Sequence, residues 1–290
     1  MSNDCLKSLT VGTGPAERRI AVRQRPAGAS APVAGASAPG AAGSAAVGAT
    51  VVAPRQAPGL FWLGGLKSDM RGTKAQALDG WARRHGRAFT RFDYSGHGES
   101  GGHFADGTIG RWLEESLAVF DVVGGGPQVV IGSSMGGWLA LLLMRALARR
   151  SPPAAARGAA QVAALVLIAP AVDFTEALMW MAFSPEIRRE IEAKGVWERP
   201  SRYGEEPYPI TREMIEEGRH HLLLDGLIET GCPVRILQGV QDPDVPWQHA
   251  VDLTARLAQD DVVLTLVKDG DHRLSRPEDL ERLLAVVAEF

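Results

Sequence analysis

The chain has 290 residues, of which 45% are hydrophobic, and this is enough to build the core of one full-sized domain. The net charge is only −3, from 31 basic and 34 acidic side chains, which excludes the strong overall field that drives binding to nucleic acid or anionic membranes. The two cysteines, Cys5 and Cys232, are too few for a disulfide framework, so a reducing compartment is expected.

The beginning of the chain and its longest apolar run bear on where the protein resides. Residues 1–5 have neither a basic start nor an apolar run behind them, which argues against a secretory signal. The longest apolar run, Trp138–Met144, is far shorter than the roughly 20 residues that span a bilayer. We therefore expect a soluble, cytoplasmic protein without a transmembrane segment.

The first fifty residues contain few large apolar side chains that could form a core. We expect a flexible N-terminus over residues 1–17 and an edge strand over Arg18–Arg25, with its charges facing solvent. Residues from about 26 to 48 are mostly Ala, Gly, Ser and Pro, which offer almost no surface whose burial could offset the entropy of ordering. The sequence predicts a flexible insertion there, inside a single domain that runs from 18 to 290.

From residue 59 onward, strands alternate with helices. Strands are predicted at residues 60–63, 88–93, 129–131, 162–169, 233–238 and 262–267, and helices at 73–85, 109–123, 138–147, 248–257 and 277–289. Such alternation predicts an α/β fold with a doubly wound, mostly parallel sheet, in which ligands bind beyond the carboxyl ends of the strands. The region from about 174 to 227 differs: it is rich in Met, Trp, Pro and charge, with helical patches at 176–193 and 211–224. We interpret it as a small helical cap over the active site.

The sequence Gly132-Ser133-Ser134-Met135-Gly136 follows a β-branched run and precedes an apolar helical stretch. Gly-x-Ser-x-Gly between a strand and a helix is typical of a nucleophile elbow, in which the central serine has a strained backbone and the glycines leave room for the crossing chains. Ser134, at the centre of the pattern, is therefore the predicted nucleophile. The alternative is an ordinary loop between a strand and a helix.

A serine nucleophile needs a base, and the base needs an acid that fixes its tautomer. His272 follows the strand at 262–267 in a loop that contains Gly270, and it is the predicted base. Asp242 and Asp244 both follow the strand at 233–238, separated by Pro243. We favour Asp242 because it comes first after the turn, and Asp244 remains the alternative. The chain order serine, aspartate, histidine is that of α/β-hydrolases.

Other histidines have competing interpretations. His97 also follows a strand, but it precedes the serine and lies in a glycine-rich turn, so it is a secondary candidate for a catalytic group. His220 and His221 lie in the predicted cap, where a substrate contact or a hydrogen-bonded packing role is expected. No spaced set of His, Cys or carboxylate residues predicts a metal site, and no cofactor is expected.

Two backbone N–H groups are predicted to form the oxyanion hole. They belong to Met135, directly after the nucleophile, and to Leu66, directly after Gly64-Gly65. Lys67-Ser68 lacks the glycine spacing of a phosphate-binding loop, and we reject that interpretation.

Several segments together resemble a known family. They are Gly64–Met70, Gly72–Ala75, Arg91–Gly96, Gly132–Trp138, Lys194–Trp197 and Asp271–Arg273. They are similar to the α/β-hydrolase family of mitochondrial palmitoyl-protein thioesterases that also hydrolyse mycophenolic acid acyl-glucuronide. The resemblance runs from about residue 59 to the C-terminus and includes His220-His221 and Val245–Trp247. The absence of a transit peptide and the insertion before the core indicate a bacterial-type, cytoplasmic relative.

The resemblance implies Ser134 as nucleophile, Asp242 as acid and His272 as base. It also implies activity on acyl thioesters and acyl esters, with a small molecule or an S-acylated protein as substrate, while the small net charge predicts no nucleic-acid partner. We therefore expect a serine hydrolase that works through an acyl-serine intermediate. The alternatives are a general carboxylesterase for small soluble esters and, from another class, a catalytically silent hydrolase fold that serves as a binding module.

Overall fold

The computed structural model of the chain describes residues 5–28, 57–150, 160–201, 207–258 and 261–290. Ten strands lie in this part of the chain: β1 Cys5–Val11, β2 Arg18–Arg25, β3 Gly59–Leu63, β4 Phe89–Phe92, β5 Gly126–Ser133, β6 Ala160–Ile168, β7 Val196–Arg199, β8 Tyr208–Thr211, β9 Val234–Gly239 and β10 Val262–Val267. Seven α-helices accompany them: α1 Thr73–Arg84, α2 Ile109–Asp121, α3 Met135–Arg149, α4 Pro185–Lys194, α5 Arg212–Gly218, α6 Trp247–Arg256 and α7 Pro277–Val287.

Eight strands form one sheet in the order β1-β2-β4-β3-β5-β6-β9-β10. Within this sheet β4, β3, β5, β6, β9 and β10 are mutually parallel, whereas β1 and β2 run antiparallel to their neighbours. Apolar side chains of α1 and α7 pack on one face, and those of α2, α3 and α6 pack on the other. The predicted doubly wound α/β sheet is confirmed, and the loops that follow β3, β5, β9 and β10 leave the sheet at the same edge.

The N-terminus was predicted to be flexible over 1–17, and this is wrong for its described part. Residues Cys5–Val11 form β1, which pairs with β2 along its whole length. Val11 is buried and Leu9 packs against the same apolar cluster, so ordering the strand buries apolar surface that the sequence interpretation overlooked.

The strand Arg18–Arg25 exists with the predicted bounds, but it is not an edge strand, because β1 covers it. Two of its charges also do not face solvent. Arg18 Nε donates to the fully buried Glu115 at 2.7 Å, and the Arg25 guanidinium makes two 2.8 Å hydrogen bonds to Asp79. These arginines are tolerated inside because each meets a carboxylate.

The segment between β6 and β9 leaves the sheet, as expected for a cap, but its internal structure differs from the prediction. The predicted helix at 176–193 is broken at Ser184, because Pro185 starts α4 and holds the residue before it in an extended conformation. Gly195, with a φ of 80°, ends α4 and leads into β7. β7 pairs with β8 in an antiparallel hairpin that the sequence did not predict. The second patch, predicted at 211–224, is shorter: α5 ends at Gly218 and a 3-10 turn follows.

The predicted insertion at 26–48 lies outside the described residues, apart from residues 26–28. None of the helices in the described ranges has the length and apolar character needed to cross a membrane.

Candidate active site

Ser134 sits in the sharp turn between β5 and α3. Its backbone has φ 55° and ψ −118°, a conformation that costs energy for any residue with a Cβ and persists only when the surroundings impose it. The surroundings here are two close chain crossings: a Cβ at Gly132 would overlap the carbonyl of Gly136, and a Cβ at Gly136 would overlap that of Leu63. The Ser134 N–H also donates to the Ile168 carbonyl of β6 at 2.8 Å.

The two adjacent serines are placed differently. Ser133 is the last residue of β5 and is buried, whereas Ser134 is half-buried. The Ser134 hydroxyl lies 3.0 Å from His272 Nε2. The turn geometry therefore presents Ser134, not Ser133, to the base predicted from the sequence.

His272 and Asp242 complete a chain of hydrogen bonds that begins at Ser134. His272 Nδ1 lies 2.8 Å from Asp242 Oδ2. An ionised carboxylate can only accept hydrogen bonds, so Nδ1 carries the proton and Nε2 turns its lone pair to the serine hydroxyl. The arrangement can remove a proton from Ser134 and stabilise the imidazolium that results.

The Asp242 carboxylate is fully buried and its oxygens accept several hydrogen bonds. Oδ1 accepts from the backbone N–H groups of Asp244 and Val245, both at 2.8 Å. Oδ2 accepts from the Gln238 side-chain amide at 3.1 Å as well as from His272. Four donors thus fix the orientation of this carboxylate. Gln238 was not identified from the sequence, because a glutamine at the end of a strand has no distinctive pattern.

Asp244, the alternative acid, makes different contacts. Its side chain lies 3.9 Å from Arg199 on the β7–β8 hairpin, and its backbone N–H donates to Asp242 Oδ1. Within the described residues, one group of three possible metal donors has its atoms within 4.8 Å of one another: Asp242, Asp244 and His272. Because Asp242 and His272 are hydrogen-bonded to each other, these contacts fit a hydrogen-bonded acid and base better than metal ligands.

The two predicted oxyanion-hole residues lie on segments that adjoin Ser134. Met135 is the first residue of α3, so its N–H has no acceptor within the helix. The turn after β3 passes close to the serine, since a Cβ on Gly65 would lie 3.3 Å from Ser134 Cβ. Leu66 follows directly in this turn. The structure therefore brings Leu66 and Met135 to the neighbourhood of the nucleophile.

The other histidines take no part in this chain of hydrogen bonds. His97 is buried, and its Nε2 accepts from the Lys67 N–H at 3.1 Å. His221 Nε2 lies 2.6 Å from Glu217, which also accepts from the Gly110 N–H at the start of α2. His221 thus has the hydrogen-bonded packing role, while His220 is exposed beside a polar groove of the cap.

The chain and its fold have counterparts among known proteins. Residues 57–283 match the model of an alpha/beta hydrolase family. The chain belongs to the α/β-hydrolase family. Mitochondrial palmitoyl-protein thioesterase ABHD10 from Mus musculus is 40% identical over 236 residues, which cover 81% of this chain and 75% of that protein. The Homo sapiens protein of the same name is 37% identical over 236 residues, which cover 81% of this chain and 73% of that protein.

Solved structures of other proteins have the same fold. A hydrolase from Agrobacterium vitis S4 superposes with a TM-score of 0.85 at 44% identity, covering 99% of this chain and 98% of that one. Mouse alpha/beta hydrolase domain-containing protein 10 superposes with a TM-score of 0.76 at 32% identity, covering 98% and 97%. These relatives support an enzyme with hydrolase activity. Because the ABHD10 proteins are named mitochondrial, the cytoplasmic location stays a prediction.

Proposed function

We propose that this chain is a serine hydrolase that cleaves acyl thioesters or esters through an acyl-serine intermediate. One observation carries the proposal: a serine held in a strained turn, its hydroxyl 3.0 Å from a histidine whose other nitrogen is 2.8 Å from a buried aspartate. That combination supplies a nucleophile, a base and the group that fixes the base. All three members are present, which argues against a silent binding module.

In the first half of the proposed reaction, His272 Nε2 takes the hydroxyl proton while Ser134 Oγ bonds to the acyl carbonyl carbon. The carbonyl electron pair moves to its oxygen, which the N–H groups of Leu66 and Met135 stabilise. When the intermediate collapses, the bond to the leaving sulfur or oxygen breaks, and the leaving group takes the proton from His272. In the second half, water gives a proton to His272 while its oxygen bonds to the acyl carbon; the bond to Ser134 Oγ then breaks, Oγ takes the proton back from His272, and the acid is released. The proposed steps require no cofactor.

The substrate class rests on the relatives. The similarity to proteins named palmitoyl-protein thioesterase, at up to 40% identity over 81% of the chain, favours acyl thioesters, including S-acylated proteins. Acyl glucuronides, which are activated oxygen esters, form the second candidate class. The test is to compare kcat/KM for long-chain acyl thioesters, acyl glucuronides and short aryl esters. A thioesterase would prefer the first class and an acyl-glucuronide esterase the second, whereas a general carboxylesterase would prefer the short aryl esters.

The nucleophile assignment is tested with two adjacent substitutions. Ser134→Ala is expected to abolish both turnover and covalent labelling by a fluorophosphonate, because among the described residues it is the Ser134 hydroxyl that meets His272 Nε2. Ser133→Ala is the matched control and is expected to retain both. Labelling that persists in the Ser134→Ala protein would refute the proposed function.

A further inference from the structure

The turn that carries Leu66 is held from outside by residues of β4 and the loop after it. We call residues 64–70 the oxyanion turn. Four side-chain contacts reach its backbone: Tyr94 Oη donates to the Gly64 carbonyl (3.3 Å), His97 Nε2 accepts from the Lys67 N–H (3.1 Å), Asp93 Oδ1 accepts from the Met70 N–H (2.6 Å), and Arg91 Nη1 donates to the Met70 carbonyl (3.1 Å). The position of the turn is therefore set mainly by the neighbouring loop.

His97 makes the contact nearest to Leu66, and its tautomer follows from its partners. Nδ1 lies 3.1 Å from the Ser95 carbonyl, which can only accept, so Nδ1 carries the proton. Nε2 is then left with a lone pair for the Lys67 N–H. The ring is enclosed by the rings of Tyr94, Phe104 and Trp112, with centroids 5.2–5.6 Å away. This burial lowers the pKa of His97 to about 4, which keeps the ring neutral and the lone pair available.

The contact matters because of where the Lys67 N–H lies. This N–H belongs to the peptide that joins Leu66 to Lys67, so an acceptor there fixes the peptide plane directly after Leu66. Lys67 has a φ of 59°, which a residue with a side chain adopts only when its surroundings require it. His97 thus holds a strained peptide in the turn that passes beside Ser134.

We propose that His97, assisted by Tyr94, is a positioning residue that holds the Leu66 N–H toward the oxygen of the tetrahedral intermediate. The inference rests on the proposed function, since it concerns the oxyanion of that reaction. Donors in such a site are useful only when they lie close to where the charge develops. Loss of the contact therefore weakens stabilisation of the transition state and leaves binding of the ground-state ester almost unchanged.

The loop sequence fits this role. Gly98 has a φ of 44°, and a Cβ there would overlap the Asp93 carboxylate. Gly96 has a φ of 73° and packs against the backbone of Phe104. Glycines on both sides of His97 thus allow the loop to fold tightly enough to place its ring against the oxyanion turn.

Two polar substitutions test the roles of the two ring nitrogens of His97 separately. His97→Asn can replace Nδ1 but is too short to reach the Lys67 N–H, whereas His97→Gln places an amide oxygen near the position of Nε2. Outright loss of one oxyanion donor costs about 10²–10³-fold in kcat, so displacement of the donor by His97→Asn is expected to cost about 10–100-fold. KM for a p-nitrophenyl ester should stay near the wild-type value, and His97→Gln should recover most of kcat.

A second readout addresses the oxyanion itself. An alkyl trifluoromethyl ketone adds to the serine as a hemiketal oxyanion, so its inhibition constant should rise in His97→Asn in proportion to the loss of kcat. Ser100→Ala is the control for general damage to the loop: it removes hydrogen bonds to the Asp93 carbonyl and the Ala21 N–H but does not touch the oxyanion turn. It should lower Tm and leave kcat and the inhibition constant unchanged.

The outcomes are distinguishable. A folded His97→Asn protein with wild-type kcat and inhibition constant, or a loss that Ser100→Ala shares, would overturn the inference. If His97→Asn does not melt cooperatively, Tyr94→Phe decides instead, because it removes the donor to the Gly64 carbonyl; an unchanged inhibition constant there would overturn the inference too. Turnover that survives Ser134→Ala would refute the proposed function itself, whereas turnover lost in that variant leaves only the role of His97 at stake.

Discussion

Asp242 and Asp244 are two residues apart, yet their carboxylates have different surroundings. The Asp242 side chain is fully buried, and its oxygens accept hydrogen bonds from four donors. The Asp244 side chain is 18% exposed and faces Arg199 across 3.9 Å. The first carboxylate is hydrogen-bonded to His272 Nδ1 and the second is paired with Arg199, so the two residues should respond very differently to the same substitution.

Asp242→Asn is expected to reduce kcat by about 10⁴-fold, the cost of the equivalent change in a well-studied serine protease. If the amide oxygen keeps the two backbone N–H groups, the NH₂ group faces His272 Nδ1 and favours the tautomer whose Nε2 carries the proton. Steady-state kinetics at a fixed pH measures the loss.

Asp244→Asn is the matched control for this change. It weakens a long, partly exposed ion pair, so its effect on kcat should be no more than about fivefold. A crippled Asp244→Asn protein beside an active Asp242→Asn protein would show that the acid is two residues further along the chain.

At the scale of elements, the elbow depends on how closely α3 approaches β3. The backbone of Gly136 leaves no space for a side chain beside the Leu63 and Gly64 carbonyls. By contrast, Gly80 lies inside α1, and the nearest atom to a Cβ there is the end of the flexible Arg84 side chain, at 3.5 Å. Close packing therefore requires a glycine at position 136, whereas the space around Gly80 admits a larger residue.

Gly136→Ala is expected to lower the free energy of unfolding by about 2–4 kcal/mol, because the methyl group must push α3 away from β3. Gly80→Ala is expected to raise it by about 0.5–1 kcal/mol, because alanine loses less backbone entropy in a helix. Urea unfolding of both variants measures these changes. A stable Gly136→Ala protein with normal fluorophosphonate labelling would contradict the close approach.

At the scale of the whole molecule, buried titratable groups make stability depend on pH. Burial lowers the pKa of His97 from 6.5 to about 4. Between these two values the unfolded chain binds a proton at His97 that the folded protein does not. The free energy of unfolding therefore decreases as the pH falls from about 6.5 to about 4. Burial raises the pKa of Asp93 and Glu115, which contributes with the opposite sign, so only a comparison of variants isolates His97.

His97→Gln should remove this contribution. The difference in free energy of unfolding between the wild type and His97→Gln should be constant above about pH 7. As the pH falls to 4, the wild type should lose at most about 3 kcal/mol of this free energy relative to His97→Gln, which is the free-energy equivalent of the pKa difference. Urea unfolding across this pH range measures the shift. A difference that does not vary with pH would show that His97 keeps its ordinary pKa in the folded protein.

Much of this molecule could be predicted because its signals are local. Alternating strand and helix patterns gave the doubly wound fold, and Gly132 and Gly136 placed the strained turn at Ser134, since turn chemistry depends on neighbouring residues. The helix broken at Ser184 was mispredicted although Pro185 was visible in the sequence. The hairpin β7–β8 and the pairing of β1 with β2 were missed because short strands need a partner that lies elsewhere in the chain.

By itself, the sequence determined the fold class, the location of Ser134 in a turn between a strand and a helix, and the chain order of the serine, the candidate aspartates and the histidine. Only the tertiary structure decided which of Asp242 and Asp244 meets His272, and that His97 holds the oxyanion turn. The physical reason is that these contacts join residues 30 to 138 positions apart, and their orientation depends on backbone donors that no residue spacing encodes. Local pattern fixes what a segment can form, and packing fixes which of its polar atoms find partners.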